Sequence, residues 1–489
     1  MLEFVDETLR DGPQSLWATR MTTRDMLGAA EWLDNAGFAK VCVASGASFE
    51  TAVKFLRDDP WERLRLLQTY MPKSTIDILI RSRNLFGWER YPDEVIELLF
   101  RCLQKAGVQT VKVFDGLNDM HSIEANFRIA RSLGLKCTAM VAFSLSPIHT
   151  DEHFVEKTRQ ALAMGVDAIA MCDASGLLTG PRTKSLLAAL NKEIAGRVPL
   201  EFLAHHSMGL AHEAYREALL AGVASVTTAS GPLANGESLP STLDILAIAQ
   251  ELGIETSLNV EAIRRTEDYF HWVAFKEQHP VEPPVIFDQL RYNAFAGHQI
   301  PGGMISNFRK QLSEIGMIHR LDEVLEEAGR VRIELGCPIM VTPFSQFVGV
   351  QATFNVIQGE RYKTVPKELY QYVTGQYGRT PGPIDPNVLD KVLGGKPMPS
   401  FDPAELFEAR ILDRFNSENG PFKSDEELLL ALFYGTEHVA ALKREKSQFT
   451  ERPSVMQPLQ ALLYELARDS SLKSVKFQSR GVRCAITHA

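Results

Sequence analysis

Over residues 1–255 a short apolar, β-branched run is followed by an amphipathic stretch, repeatedly, at a spacing of about 25–40 residues. No other feature restricts the fold as much. The runs are Glu3–Leu9, Lys40–Ser45, Thr75–Arg81, Thr110–Asp115, Lys136–Phe143, Ala168–Asp173, Leu200–His206 and Ala224–Ser230. Between them lie helical patterns such as Thr23–Ala36 and Pro92–Ala106, the second aligning Val95, Leu98, Leu99 and Leu103. Ala36-Gly37, Ala106-Gly107, Met164-Gly165 and Ala221-Gly222 each precede a strand and read as helix C-caps. Eight such units predict an α/β chain whose parallel strands close into a (β/α)8 (TIM) barrel. The competing open sheet usually carries a glycine-rich loop after its first strand, where this chain has Arg10-Asp11-Gly12-Pro13-Gln14.

Near residue 260 the rhythm stops. Residues 261–445 are helix-rich with Pro/Gly interruptions, so the expected organisation is a barrel over 1–260 followed by a mainly α-helical domain over 261–445. A short extension, 446–489, should hold one helix, Val455–Ala467, and a β-like piece, Ser474–Phe477. The 489 residues, 45% hydrophobic and 23% charged, suit such a multidomain globular chain. A formal net charge of −9 excludes a broad phosphate-binding surface, so neither nucleic acid nor anionic membrane is expected as a partner. There is no basic-then-apolar leader at Met1–Asp6, and no apolar run long enough to span a bilayer. The 6 cysteines form no CxxC pair. A reduced, cytoplasmic setting is the expectation.

In a closed βα barrel the C-terminal ends of the strands meet at one mouth. Those ends carry Arg10-Asp11, Glu50, Arg81, Asp115, Cys172-Asp173 and His205-His206. Singly, each would be read as a capping or loop polar residue; together they predict a site. Asp11 and His205 are natural metal ligands, with Cys172 as a third unless it is a buried apolar thiol. Arg81 offers a planar fork for a substrate carboxylate; the alternative is an ion pair with Asp115 or Glu50. His206, on the opposite face of its strand, should point away from the mouth.

Longer phrases extend this pattern: Glu7-Thr8-Leu9-Arg10-Asp11-Gly12-Pro13-Gln14-Ser15-Leu16, Ala18-Thr19-Arg20-Met21, Phe55–Leu64, Arg81–Gly87, Val113–Asp119, Asp173–Leu178, Pro301-Gly302-Gly303 and Val341-Thr342-Pro343. They resemble the carboxyltransferase domain shared by pyruvate carboxylase, the oxaloacetate decarboxylase α subunit and the transcarboxylase 5S subunit, within the wider DRE-TIM superfamily. The likeness runs from about residue 3 to 440. It implies that Asp11 and His205 bind a divalent metal of the Zn or Mn class, and that Arg81 holds the carboxylate of a 2-oxo acid. It further implies that Gln14 contacts substrate and that Thr342 shuttles a proton between biotin and the substrate enolate. Arg10, Glu50 and Tyr91 are expected to line the same substrate site.

The departures from the family are equally specific. Its first histidine ligand falls on Leu203, its carbamylated lysine on Cys172, the tryptophan of its Trp-Gly-Gly motif on Ala44 and the aspartate after that motif on Glu50. Two biotin-pocket positions become Met304 and Gln346, and the sequence contains no Met-Lys-Met carrier motif, so covalently attached biotin is not expected. A metal site would therefore consist of Asp11, Cys172, His205 and water. Three functions remain open: a lyase or carboxyltransferase-like enzyme acting on a small 2-oxo acid of the oxaloacetate/pyruvate class through a metal-stabilised enolate, a carboxyltransferase subunit using biotin on a separate carrier protein, and a degenerate barrel that only binds a 2-oxo acid. A homodimer is expected in each case.

Overall fold

The computed structural model describes residues 1–301, 305, 308–309, 312–314, 316–399, 410–445, 466, 474–479 and 482–487. Eight parallel strands close a barrel in chain order: β1 (Glu3–Asp6), β2 (Lys40–Ser45), β3 (Ile76–Arg81), β4 (Thr110–Phe114), β5 (Lys136–Ala142), β6 (Ala168–Asp173), β7 (Leu200–Ala204) and β8 (Ser225–Thr228). β1 seals the ring by pairing with β2 and β8, Val5 lying opposite both Lys40 and Thr227. The predicted first strand extends through Leu9, but β1 ends at Asp6. The amides of Arg10, Asp11 and Gly12 all turn back to the Glu7 carbonyl, which starts the helix Asp11–Leu16. Among the described residues, no helix is long and apolar enough to cross a membrane.

Strand alternation stacks the barrel interior in layers. Along β3 one face runs Asp77, Leu79, Arg81; along β7 it runs Glu201, Leu203, His205. The lowest layer is charged. Lys112 Nζ, fully buried, stands 3.3 Å from Glu7 Oε1 and 3.7 Å from Asp77 Oδ2. Thr110 donates to Asp77 at 2.6 Å, and Lys40 pairs with Glu201. Burial opposes charge on Lys112, yet the surrounding Glu7, Asp77 and Glu201 hold its pKa above the usual lysine value. The middle layer is hydrocarbon: Met140, Ala170, Cys172, Leu203, Ala229, Ala234 and Leu239 pack together, with Leu79 and Phe114 against them.

The helices after residue 260 serve two cores. Tyr269, Phe270 and Val273 of helix Val260–Glu277 join the barrel core, as do Leu429, Leu430, Phe433 and Leu442 from helices Asp425–Tyr434 and Thr436–Glu445. Between them, residues from Ile300 to Val392 build a separate core that includes Leu117 from the barrel. Gly116 permits that docking: a Cβ there would lie 2.4 Å from Phe344 Cε2 and 3.2 Å from Val341 Cγ2. Leu466 is helical, whereas the rest of the expected helix 455–467 lies outside the described residues. The β-like piece at 474 is β9 (Ser474–Ser479), antiparallel to β10 (Val482–Thr487).

Candidate active site

The sharp turn after β1 places Asp11 at the first position of its helix, buried at the barrel mouth. His205, just beyond β7, brings Nε2 to 3.3 Å from Asp11 Oδ1. Arg10 Nη1 donates to the same oxygen at 3.1 Å, while Ser238 Oγ and Ser15 Oγ approach Oδ2 at 3.1 and 3.3 Å. Burial alone would raise the Asp11 pKa, but His205 and Arg10 hold it well below the ordinary carboxylate value. The His205 imidazole shows the reciprocal effect: burial lowers its pKa, and Asp11 more than restores it.

On the same helix, Gln14 Oε1 accepts from Ser45 Oγ at 2.9 Å. Ser45 caps the next helix, Gly46–Thr51, and a Cβ on Gly46 would come within 3.1 Å of Arg81 Nη2. The rim is therefore continuous from His205 through Asp11, Gln14 and Ser45 to Arg81.

Arg81 and Thr342 line one cleft, together with Trp88, Asp115, Phe344 and Tyr377. The Arg81 guanidinium lies 4.9 Å from the centroid of the Trp88 ring, a cation–π arrangement. Neither anticipated ion pair forms. Glu50 accepts from Lys54 Nζ at 2.8 Å and from Trp88 Nε1 at 3.2 Å, and Asp115 Oδ1 accepts the amides of Leu117 and Asp119. No carboxylate among the described residues pairs with Arg81. Burial lowers its pKa from the usual arginine value, while Tyr434, Glu50 and Tyr91 act in the opposite sense. Asp115 is pushed up to about 6 by burial and by Asp119.

The other expected contacts divide. Arg10 is buried and committed to Glu7 (2.5 Å) and Asp11. Tyr91 is buried with its ring against Phe433, behind the Arg81 loop. His206 faces away from the mouth as strand alternation predicts, its ring 4.6 Å from that of His212 on an outer helix. Gln346 is exposed on helix Phe344–Gln358, whereas Gly302, Gly303 and Met304 lie outside the described residues. Trp88, 47% exposed and over Arg81, has no place in the sequence-based expectation; its signal is an aromatic set among polar residues in Gly87-Trp88-Glu89-Arg90. Tyr434, whose hydroxyl reaches the carbonyls of Gly46 and Phe86, has no such signal, because it arrives from the far end of the chain.

The expected metal ligands do not assemble. Cys172 pairs in register with Leu203, and both belong to the hydrocarbon layer. Burial, with Asp173 adding to it, pushes the Cys172 thiol up to about 12. Among the described residues, no group of three or more His, Cys, Asp or Glu side chains could hold an ion. Asp11 and His205 contact each other, while Cys172 packs in the hydrocarbon layer.

Comparison with known proteins supplies the lineage. Residues 296–478 match the conserved carboxylase domain. A pyruvate carboxylase subunit from Methanocaldococcus jannaschii is 36% identical over 449 residues, covering 91% of this chain and 78% of that protein. The methylmalonyl-CoA carboxyltransferase 5S subunit of Propionibacterium freudenreichii is 33% identical over 438 residues, covering 87% and 84%. A variant carboxyl transferase domain of Rhizobium etli pyruvate carboxylase, solved with pyruvate, superposes with a TM-score of 0.82 at 25% identity, covering 99% of this chain and 84% of that one. The chain belongs to the carboxyltransferase family of pyruvate carboxylase and the transcarboxylase 5S subunit.

Proposed function

We propose that this chain catalyses carboxyl transfer to or from a small 2-oxo acid of the pyruvate/oxaloacetate class, bound in the cleft between Arg81 and Thr342. The observation that carries this reading is the Arg81 guanidinium, stacked on Trp88 without a carboxylate partner among the described residues. A planar fork in that setting favours a substrate carboxylate over the side chains around it. The relatives' names supply the reaction type.

Oxaloacetate illustrates the chemistry. Its C3–C4 bond breaks, the electron pair remains as the pyruvate enolate, and the carboxyl passes to an acceptor nitrogen. Biotin on a separate carrier protein would supply that nitrogen. The displaced N–H proton goes to Thr342 Oγ1 while the threonine's own proton passes to C3, so charge and protons balance. Thr342 is exposed and lines the cleft, which suits this relay. Gln14, fixed by Ser45, stands on the same rim as a further polar contact.

Titration calorimetry with pyruvate and oxaloacetate tests the reading. Arg81→Ala should weaken binding by about 10–100-fold, the worth of hydrogen bonds to a charged group. Thr342→Ala should keep the affinity and lose about 10²–10⁴-fold in kcat. Wild-type affinity in Arg81→Ala would place the carboxylate elsewhere.

A further inference from the structure

We infer that the barrel centre of this chain takes no divalent ion, and that the Asp11–His205 contact over a hydrocarbon layer closes the place where its family resemblance predicts one.

The layering of the barrel is the physical cause. A cation at the mouth would need donors from β1, β6 and β7 together. β1 delivers Asp11 and β7 delivers His205, but the inward residue below His205 is Leu203, and its partner on β6 is Cys172. Those two side chains pack with Met140, Ala170, Ala229, Ala234 and Leu239. An ion there would face a packed hydrocarbon layer, and its desolvation would go uncompensated. The Asp11 oxygens are already engaged by His205, Arg10, Ser238 and Ser15, so an incoming cation would have to displace bonds the chain makes to itself. Only two of the required donors remain, and they are spent on each other.

The test uses the purified full chain, elemental analysis, and melting curves with Zn²⁺, Mn²⁺ or Co²⁺ alone. The expected result is substoichiometric metal after dialysis and a Tm that neither these ions nor a chelator moves. About one ion per chain, lost in both Asp11→Ala and His205→Ala, would overturn the inference. An ion retained by both variants lies outside the barrel centre and agrees with it. Leu203→His adds an imidazole two residues before His205, on the same strand face. It should gain Co²⁺ binding, visible as ligand-field absorption; a folded variant that stays empty would overturn Leu203 as the cause. These readouts do not depend on turnover, so they stand apart from the carboxyl-transfer reading.

Discussion

The Tyr434 hydroxyl donates to the Phe86 carbonyl oxygen at 3.2 Å, with the Gly46 carbonyl at 3.4 Å. A helix from the C-terminal part of the chain thereby pins both segments that flank Arg81. Phe433 adds ring contacts to Phe86 and Tyr91 at centroid distances of 6.5 and 5.1 Å.

Tyr434→Phe keeps the ring and removes the donor. Losing one buried hydrogen bond costs about 1 kcal/mol. If the bond positions Arg81, affinity for a 2-oxo acid should fall about fivefold with little change in kcat once substrate saturates. Calorimetry and steady-state kinetics on one preparation check this. Unchanged affinity alongside a lowered Tm would reduce Tyr434 to a packing residue.

Gly116→Ala addresses how Thr342 is delivered. The added methyl would meet Phe344 Cε2 at 2.4 Å, and Phe344 lies two residues beyond Thr342. Overpacking of this kind costs about 1–3 kcal/mol, and relieving it moves the segment that carries the hydroxyl. Urea unfolding should show the loss in stability, and kcat should fall more than affinity does. A variant with wild-type kcat would show that Thr342 is held by other contacts.

His149 makes stability depend on acid. It is buried, its Nδ1 lies 2.7 Å from Ser146 Oγ, and its Nε2 has no hydrogen-bond partner. Burial, reinforced by His153, Arg332 and Lys157, lowers its pKa from 6.5 to about 3. The folded state then binds fewer protons than the unfolded chain between those values. The contribution is complete above pH 6.5 and is lost as pH falls towards 3. It amounts to a few kcal/mol, on the order of 1.4 per pH unit. Asp6, raised to about 7 by burial, works in the opposite direction, losing its contribution as pH rises from 3.8 to 7. The readout is therefore a difference: Asn retains a polar group for Ser146, so His149→Asn should show a shallower fall in Tm below pH 6.5. Parallel pH curves would contradict the assignment.

What could be read from the residues depended on how local the cause was. The strand-and-helix rhythm is written in near-neighbour patterns, so the barrel and its order were legible. Asp11, Arg81 and His205 follow directly from their strands, and closure alone carries strand ends to one mouth. The surroundings of Cys172 were not legible, because a cysteine at a strand end has the same appearance in sequence whether its neighbours are ligands or methyl groups. Which core each helix after 260 joins was not legible, since nothing local distinguishes Phe433, packed on the barrel, from Phe347 in the second core.

By itself the sequence determined the eightfold closure, the family, and the charged residues at the strand ends, because periodicity and short motifs act over a few residues. Only the tertiary structure decided that Arg81 has no carboxylate partner among the described residues while Glu50 does pair, and that Asp11 and His205 spend their charge on each other. It alone showed that Thr342 reaches the Arg81 cleft across Gly116. Those outcomes rest on distances between segments far apart in the chain, which packing sets and local preference does not encode.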